Sequence, residues 1–198
     1  DKQTDKPMLS GKHKKKENNF FLFVNIMEFK TAQGLANRLL KSINKPPGST
    51  VHIVGSIRRY SAAIKKGIID IKDIPKIKDI DILVIVKDQA QLCKPIIFKN
   101  YGTPKITPRK RQLKLKGVND DVFLATKQEK HFALLHFTSS KQFLMRTRAH
   151  AKKLGYKLNQ YGLFNAKTLR EVKFVHKSDL DVLSKINVSR HAIWDRFV

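Results

Sequence analysis

Apolar residues recur along this chain with two periods, and the switches between them mark its elements. Over residues 28–43, Phe29, Ala32, Leu35, Ala36, Leu39, Leu40 and Ile43 return every three or four positions, which predicts an amphipathic helix. Pro46-Pro47-Gly48 ends it. Val51-His52-Ile53-Val54 is a short apolar strand, broken by Gly55-Ser56. In Asp79-Ile80-Asp81-Ile82-Leu83-Val84-Ile85-Val86 the side chains alternate between two faces of a strand. Ile80, Ile82, Val84 and Val86 face one core. Leu83 and Ile85 continue the face that begins with Asp79 and Asp81, so the strand is buried on both sides beyond a polar tip. Residues 109–116 alternate basic with apolar and predict a strand with one packed and one cationic face. Gly117-Val118-Asn119 turns it into Asp120-Asp121-Val122-Phe123-Leu124, its antiparallel neighbour.

The remaining segments are less regular. Residues 60–78, with Asp70 and Asp73, read as an inserted hairpin or loop. Pro95, Pro104 and Pro108 argue against a long element over residues 91–108. Phe132 to Phe137 is an apolar run. Residues 140–154 predict a helix closed by Gly155, with Phe143, Leu144 and Ala151 inward. Residues 156–164 and 168–175 predict a hairpin around Asn165-Ala166-Lys167, and Ser178-Asp179 an N-cap for a last helix through Ile186. This mixture gives an α+β class, in one domain or two small lobes for 198 residues.

Charge narrows the partner. Lys and Arg number 41 against 16 Asp and Glu, a net charge of +25 and a pI near 10.3. That excess is the footprint of a polyanion partner, and nucleic acid fits it. The lysines are spread along the chain rather than gathered on one amphipathic helix, which argues against a membrane surface. No apolar run reaches membrane-spanning length. Cys93 is the single cysteine, so an intrachain disulfide is impossible and a reducing, intracellular compartment is the default. Residues 1–19 form a lysine-rich arm that is disordered by composition, and Phe20 to Val24 an added strand.

The candidate chemistry lies between Gly55 and Asp81. Asp79 and Asp81 sit two apart on a strand, roughly 6.5–7 Å between backbones, and point the same way. Two anions at the mouth of a buried strand need a cation, and all-oxygen ligands select a hard one, Mg²⁺ above all beside phosphate. Upstream, Gly55 allows close backbone approach, Ser56 offers a hydroxyl, and Arg58 and Arg59 can fork onto phosphate oxygens. An ordinary turn with solvated arginines and two surface aspartates is the bland alternative for either half alone.

Gly-Ser-x-Arg-Arg followed by Asp-x-Asp on a hydrophobic strand resembles the palm of the X family of DNA polymerases, the polymerase beta group. The resemblance implies a nucleotidyltransferase palm with a mixed sheet and flanking helices, plus a small C-terminal α/β lobe. It implies a third aspartate on a neighbouring strand, and family spacing from His136-Phe137-Thr138-Ser139-Ser140 picks Asp121, not Asp120. Tyr156 to Phe164 is similar to compact, virus-encoded members. Residues 1–26 would then be an extension, 27–126 the palm, and 127–198 the C-terminal lobe.

By the same resemblance Asp79, Asp81 and Asp121 are the catalytic and metal-binding residues, holding two Mg²⁺ ions, with Mn²⁺ as a substitute. Gly55, Ser56, Arg59, His136 and Phe137 would bind the nucleotide. Arg148 would probe the nascent base pair, and Leu144 stands where the family has a base-contacting asparagine. Lys114 and Lys116, on the basic strand, are further candidate DNA contacts. The partners implied are duplex or gapped DNA with a 3′-hydroxyl primer and deoxynucleoside triphosphates, with the chain a monomer. The expected activity is template-directed DNA synthesis at short gaps in repair. The same pattern admits a template-independent nucleotidyltransferase on DNA or RNA ends, and a non-catalytic nucleic-acid-binding palm.

Overall fold

In a computed structural model, residues 27–99, 101–115, 118–188 and 196 are described. The basic arm, the Phe20 to Val24 segment and Lys116 lie outside the described residues. The elements in order are helix α1 (Phe29–Ser42), strands β1 (Ile43–Asn44) and β2 (Thr50–Ile53), helix α2 (Gly55–Lys65), and strands β3 (Asp79–Val86), β4 (Ile97–Phe98), β5 (Lys105–Thr107), β6 (Lys110–Leu115) and β7 (Val118–Thr126). Helices α3 (Lys130–Thr138) and α4 (Lys141–Lys153), strands β8 (Tyr156–Leu158) and β9 (Leu163–Asn165), and helix α5 (Asp179–Lys185) follow.

Five strands form one mixed sheet in the order β2-β3-β7-β6-β5. β3 and β7 run parallel at its centre, and the other neighbours are antiparallel. β3 holds the middle because its side chains leave water on both faces: Ile80 through Val86, Asp81 apart, are each at most 1% exposed. Burial of each such side chain contributes about 1.5–3 kcal/mol. Ile80, Ile82, Val84 and Val86 pack with Val122 and Leu124 of β7 against the apolar stripe of α1, Phe29, Ala32, Ala36 and Leu39. Leu83 and Ile85 face the opposite way, onto Val54, Ala125, Ala133 and Leu134. The second face is therefore closed by α3, and it is the face that carries Asp79 and Asp81.

The C-terminal part has its own apolar centre, with Phe132, Leu135, Phe143, Leu163, Val182 and Leu183 buried together. Two of its helices start at serine caps, of which Ser178 is the one expected. Ser140 accepts a hydrogen bond from Phe143 N at 3.2 Å ahead of α4, and Ser178 and Asp181 form a reciprocal capping box ahead of α5. Gly155, at φ +80°, ends the turn after α4. Thr147 rather than Leu144 shares the buried side of α4 with Phe143 and Ala151.

Two expectations need correction. Gly55-Ser56 opens a helix that runs to Lys65, so the irregular segment begins only after it, with a single 3₁₀ turn at Ile71–Asp73. Ile57, Tyr60 and Ile64 carry the helical spacing, and they pack on the α1 side of the sheet. The C-terminal hairpin pairs β8 with β9 around Asn159 to Gly162, where Asn159 Oδ1 accepts from Tyr161 N and Gly162 N. The 168–175 segment is not a strand; it keeps one bridge, Phe164 to Glu171, after a second side-chain-closed turn at Asn165. β6 is interior, because β5 covers its outer side.

Candidate active site

The site is set by strand register. Asp81 of β3 pairs with Asp121 of β7, and Asp79 pairs with Asn119. Partners in a parallel pair leave the sheet on the same face, so Asp79, Asp81 and Asp121 lie together on the α3 side. Asp120 pairs with Ile80 and points the opposite way, into the core under α1, where it is 1% exposed. Neither Asp120 carboxylate oxygen meets a hydrogen-bond donor among the described residues. Burial, and then the neighbouring Asp121 charge, push its pKa up to about 7.

Gly55 places the head of α2 on Asp81. Val54 N donates to Asp81 O at 2.9 Å, and Gly55 follows at φ +62°. A Cβ at Gly55 would overlap Asp81 Oδ2 and stand 2.8 Å from Asp81 Cβ. Only glycine fits there, for the conformation and for the space. Burial raises the Asp81 pKa to about 7, helped by the charges of Asp79 and Asp121 and opposed by Lys110 and Arg59. Ser56 lies in the first turn of α2 and Arg59 one turn on, with its guanidinium 5.1 Å from the centre of the Tyr60 ring. The free amides of a helix N-terminus beside an arginine suit an anion.

Asp121 is engaged on both oxygens by β6. Lys110 Nζ stands 2.6 Å from Oδ2, and Gln112 Nε2 donates to Oδ1 at 3.1 Å. Lys110, Gln112 and Lys114 share the aspartate face, opposite Phe123, Asp121 and Asn119. Lys114 is exposed there. The sequence pattern names Lys114 and passes over Lys110 and Gln112. The signal that would have found Gln112 is register: the pairing of Leu115 with Val118 sets Gln112 against Asp121.

α3 brings the remaining candidates to the same face. Phe137 stacks on Phe123, ring centres 4.2 Å apart, and touches the His136 ring edge-on. Arg148 NH2 lies 2.7 Å from His136 Nδ1. A guanidinium only donates, so Nδ1 accepts and the imidazole is neutral with its proton on Nε2. Burial, then Arg148, hold the His136 pKa down at about 4. His136, Phe137 and Arg148 thus form one unit beside the aspartates.

The three carboxylates supply oxygen-only donors, which suit a hard divalent cation. Among the described residues no group of three or more His, Cys, Asp and Glu is drawn together at metal-binding spacing. The oxygens of Asp121 are turned to Lys110 and Gln112. Among the described residues no helix is long and apolar enough to cross a membrane.

Residues 133–188 match the DNA polymerase beta thumb family. Repair DNA polymerase X of one African swine fever virus isolate is 30% identical over 167 residues, spanning 79% of this chain and 86% of that protein. The same enzyme from another isolate is 28% identical over 173 residues, with the same coverage of both chains. The fold is similar to that of Leishmania infantum polymerase beta in a ternary gap complex, with a TM-score of 0.60 and 18% identity. That likeness covers 87% of this chain and 71% of the other. A ternary primer/template complex of the same protein gives a TM-score of 0.57 at 19% identity, covering 86% and 76%.

Proposed function

The chain belongs to the X family of DNA polymerases, and from that premise we propose how its own residues carry out repair synthesis. It is a DNA-directed DNA polymerase. The observation that carries the residue-level reading is the shared face of Asp79, Asp81 and Asp121 at one end of a parallel strand pair. Asp79 and Asp81 would hold two Mg²⁺ ions, or Mn²⁺ in their place, and Asp121 would complete the site nearest the primer. Ions held there would supply the Lewis acidity that in-line displacement by a 3′-hydroxyl needs.

The chain's own work is placement. The α2 N-terminus at Gly55 and Ser56 and the Arg59 guanidinium would hold the triphosphate, whose charge they match. His136 and Phe137 would lie along the sugar and base. Arg148, which orients His136, would face the nascent pair, and Lys114 a backbone phosphate. Residues 27–126 would act as the palm and 127–198 as the lobe that closes the nucleotide and duplex against it. The substrates are gapped or primed duplex DNA and deoxynucleoside triphosphates, and the chain acts as a monomer.

Primer extension tests this on a short-gapped duplex, a primed template and a free single strand, with deoxy- and ribonucleotides and with Mg²⁺ or Mn²⁺. The expected result is extension of the gapped and primed duplexes with deoxynucleotides. Equal extension of the free single strand would replace this reading with a template-independent transferase. No incorporation under any condition would leave a binding palm without catalysis.

A further inference from the structure

Both oxygens of Asp121 are already held, and the stronger holder is a cation of the chain itself. Lys110 Nζ stands 2.6 Å from Oδ2, with about a third of the lysine side chain and 18% of the aspartate side chain exposed. Gln112 Nε2 secures the other oxygen at 3.1 Å. The same ammonium lies 5.4 Å from the centre of the Phe123 ring, which is stacked on Phe137. Phe123 is the register partner of Lys110 on β7, so the ammonium rests against an aromatic face, which holds cations, while it pairs with Asp121.

We propose that Lys110 is a built-in counterion that occupies the place of the divalent cation at Asp121 and must be displaced from it when metal binds. The inference rests on the metal role given above to the three aspartates. Without Lys110, Asp121 would lose its ion-pair partner while it shares a partly buried face with two other carboxylates, an arrangement that costs stability. With it, one of the negative charges of the empty site is offset, and a divalent ion binds only by winning Asp121 from the ammonium. The displaced Nζ remains on the aspartate face beside Lys114 and is then available to an anion such as a nucleic-acid phosphate. Lys110 is a positioning residue: it sets where the Asp121 carboxylate points and how tightly metal is held.

Mn²⁺ binding to the full chain without DNA, read from the free-ion electron paramagnetic resonance signal, tests the proposal independently of turnover. Wild type, Lys110→Gln, Lys110→Arg and Asp81→Asn are compared, with circular dichroism melts to confirm folding. Lys110→Gln is expected to bind Mn²⁺ about five- to tenfold more tightly than wild type, the scale of a partly exposed ion pair with one partner removed. Lys110→Arg is expected to stay within about twofold of wild type, because it keeps the charge. Unchanged affinity in Lys110→Gln, with wild type binding and Asp81→Asn not, overturns the counterion role and leaves the metal site intact. Binding that survives in Asp81→Asn, or is missing in wild type, overturns the metal reading itself. If Lys110→Gln fails to fold, Lys110→Met replaces it, and the same gain of affinity or its absence decides.

Discussion

Asp81 and Asp121 are register partners across the parallel pair of β3 and β7, so one strand pairing decides which of two adjacent aspartates shares the face of Asp79. A one-residue slip would bring Asp120 to that face and bury Asp121. Asp81→Asn and Asp121→Asn are each expected to cut nucleotide incorporation by at least about 10³-fold, the scale on which preorganised electrostatic groups contribute, with gapped-duplex binding retained. Asp120→Asn should cost much less. Steady-state incorporation and a gel-shift assay check both, and an essential Asp120 beside a dispensable Asp121 would contradict the register.

Asp120 gives stability a pH dependence of definite sign. Its folded pKa of about 7 lies above the ordinary 3.8, so the folded state holds that proton more tightly than the unfolded chain. The contribution is most favourable below about pH 4, falls as pH rises towards 7, and levels off above it. Asp81 adds a change of the same sign in metal-free protein. Asp120→Asn should therefore flatten the decline and raise stability at pH 8 by about 1–4 kcal/mol. Thermal melts of wild type and variant at pH 5 and pH 8 decide it; parallel declines would show that Asp120 is not the source.

Gly55→Ala combines a left-handed backbone with a Cβ that overlaps Asp81. The expected outcome is a loss of about 1–3 kcal/mol in stability and at least a hundredfold in turnover, because Asp81 must move. Full activity in the alanine variant would mean that Asp81 works from another position.

Arg109 fastens the junction between the sheet and α3. Its guanidinium grips Glu129 at 2.8 and 3.0 Å and lies over the Tyr161 ring, while Glu129 Oε2 also accepts from Thr126 N at 2.8 Å. Arg109→Met leaves a half-buried carboxylate without its cation and should destabilise by about 1–3 kcal/mol. Tyr161→Phe keeps the ring and should change little. Denaturant unfolding of the two variants separates the ion pair from the stacking.

His136 should stay neutral down to about pH 5, since burial and Arg148 hold its pKa near 4. Removing the cation with Arg148→Met should move the titration upward. The imidazole carbon-bound proton shifts in NMR report both, and a wild-type midpoint near the ordinary 6.5 would refute the contact.

The sequence by itself determined the local elements whose cause is local. The stripe of α1, the two-faced apolar run of β3, the Ser140 and Ser178 caps and the Gly155 stop all follow from side-chain spacing and backbone preference. It also set the charge, and its motifs carried the resemblance that pointed to Asp121. What it left open depends on partners far along the chain. Whether residues after Gly55 extend or coil was decided by packing, because Ile57, Tyr60 and Ile64 find a core in the helix. Both Asn159 and Asn165 close a turn, and only the strand pairing decides that the hairpin bends at Asn159. The grip of Lys110 and Gln112 on Asp121 arises from cross-strand register, and no single strand contains it. Asp120 and Asp121 are chemically the same residue one position apart. Only the pleat of the assembled sheet buries one in the core and leaves the other on the face of the site.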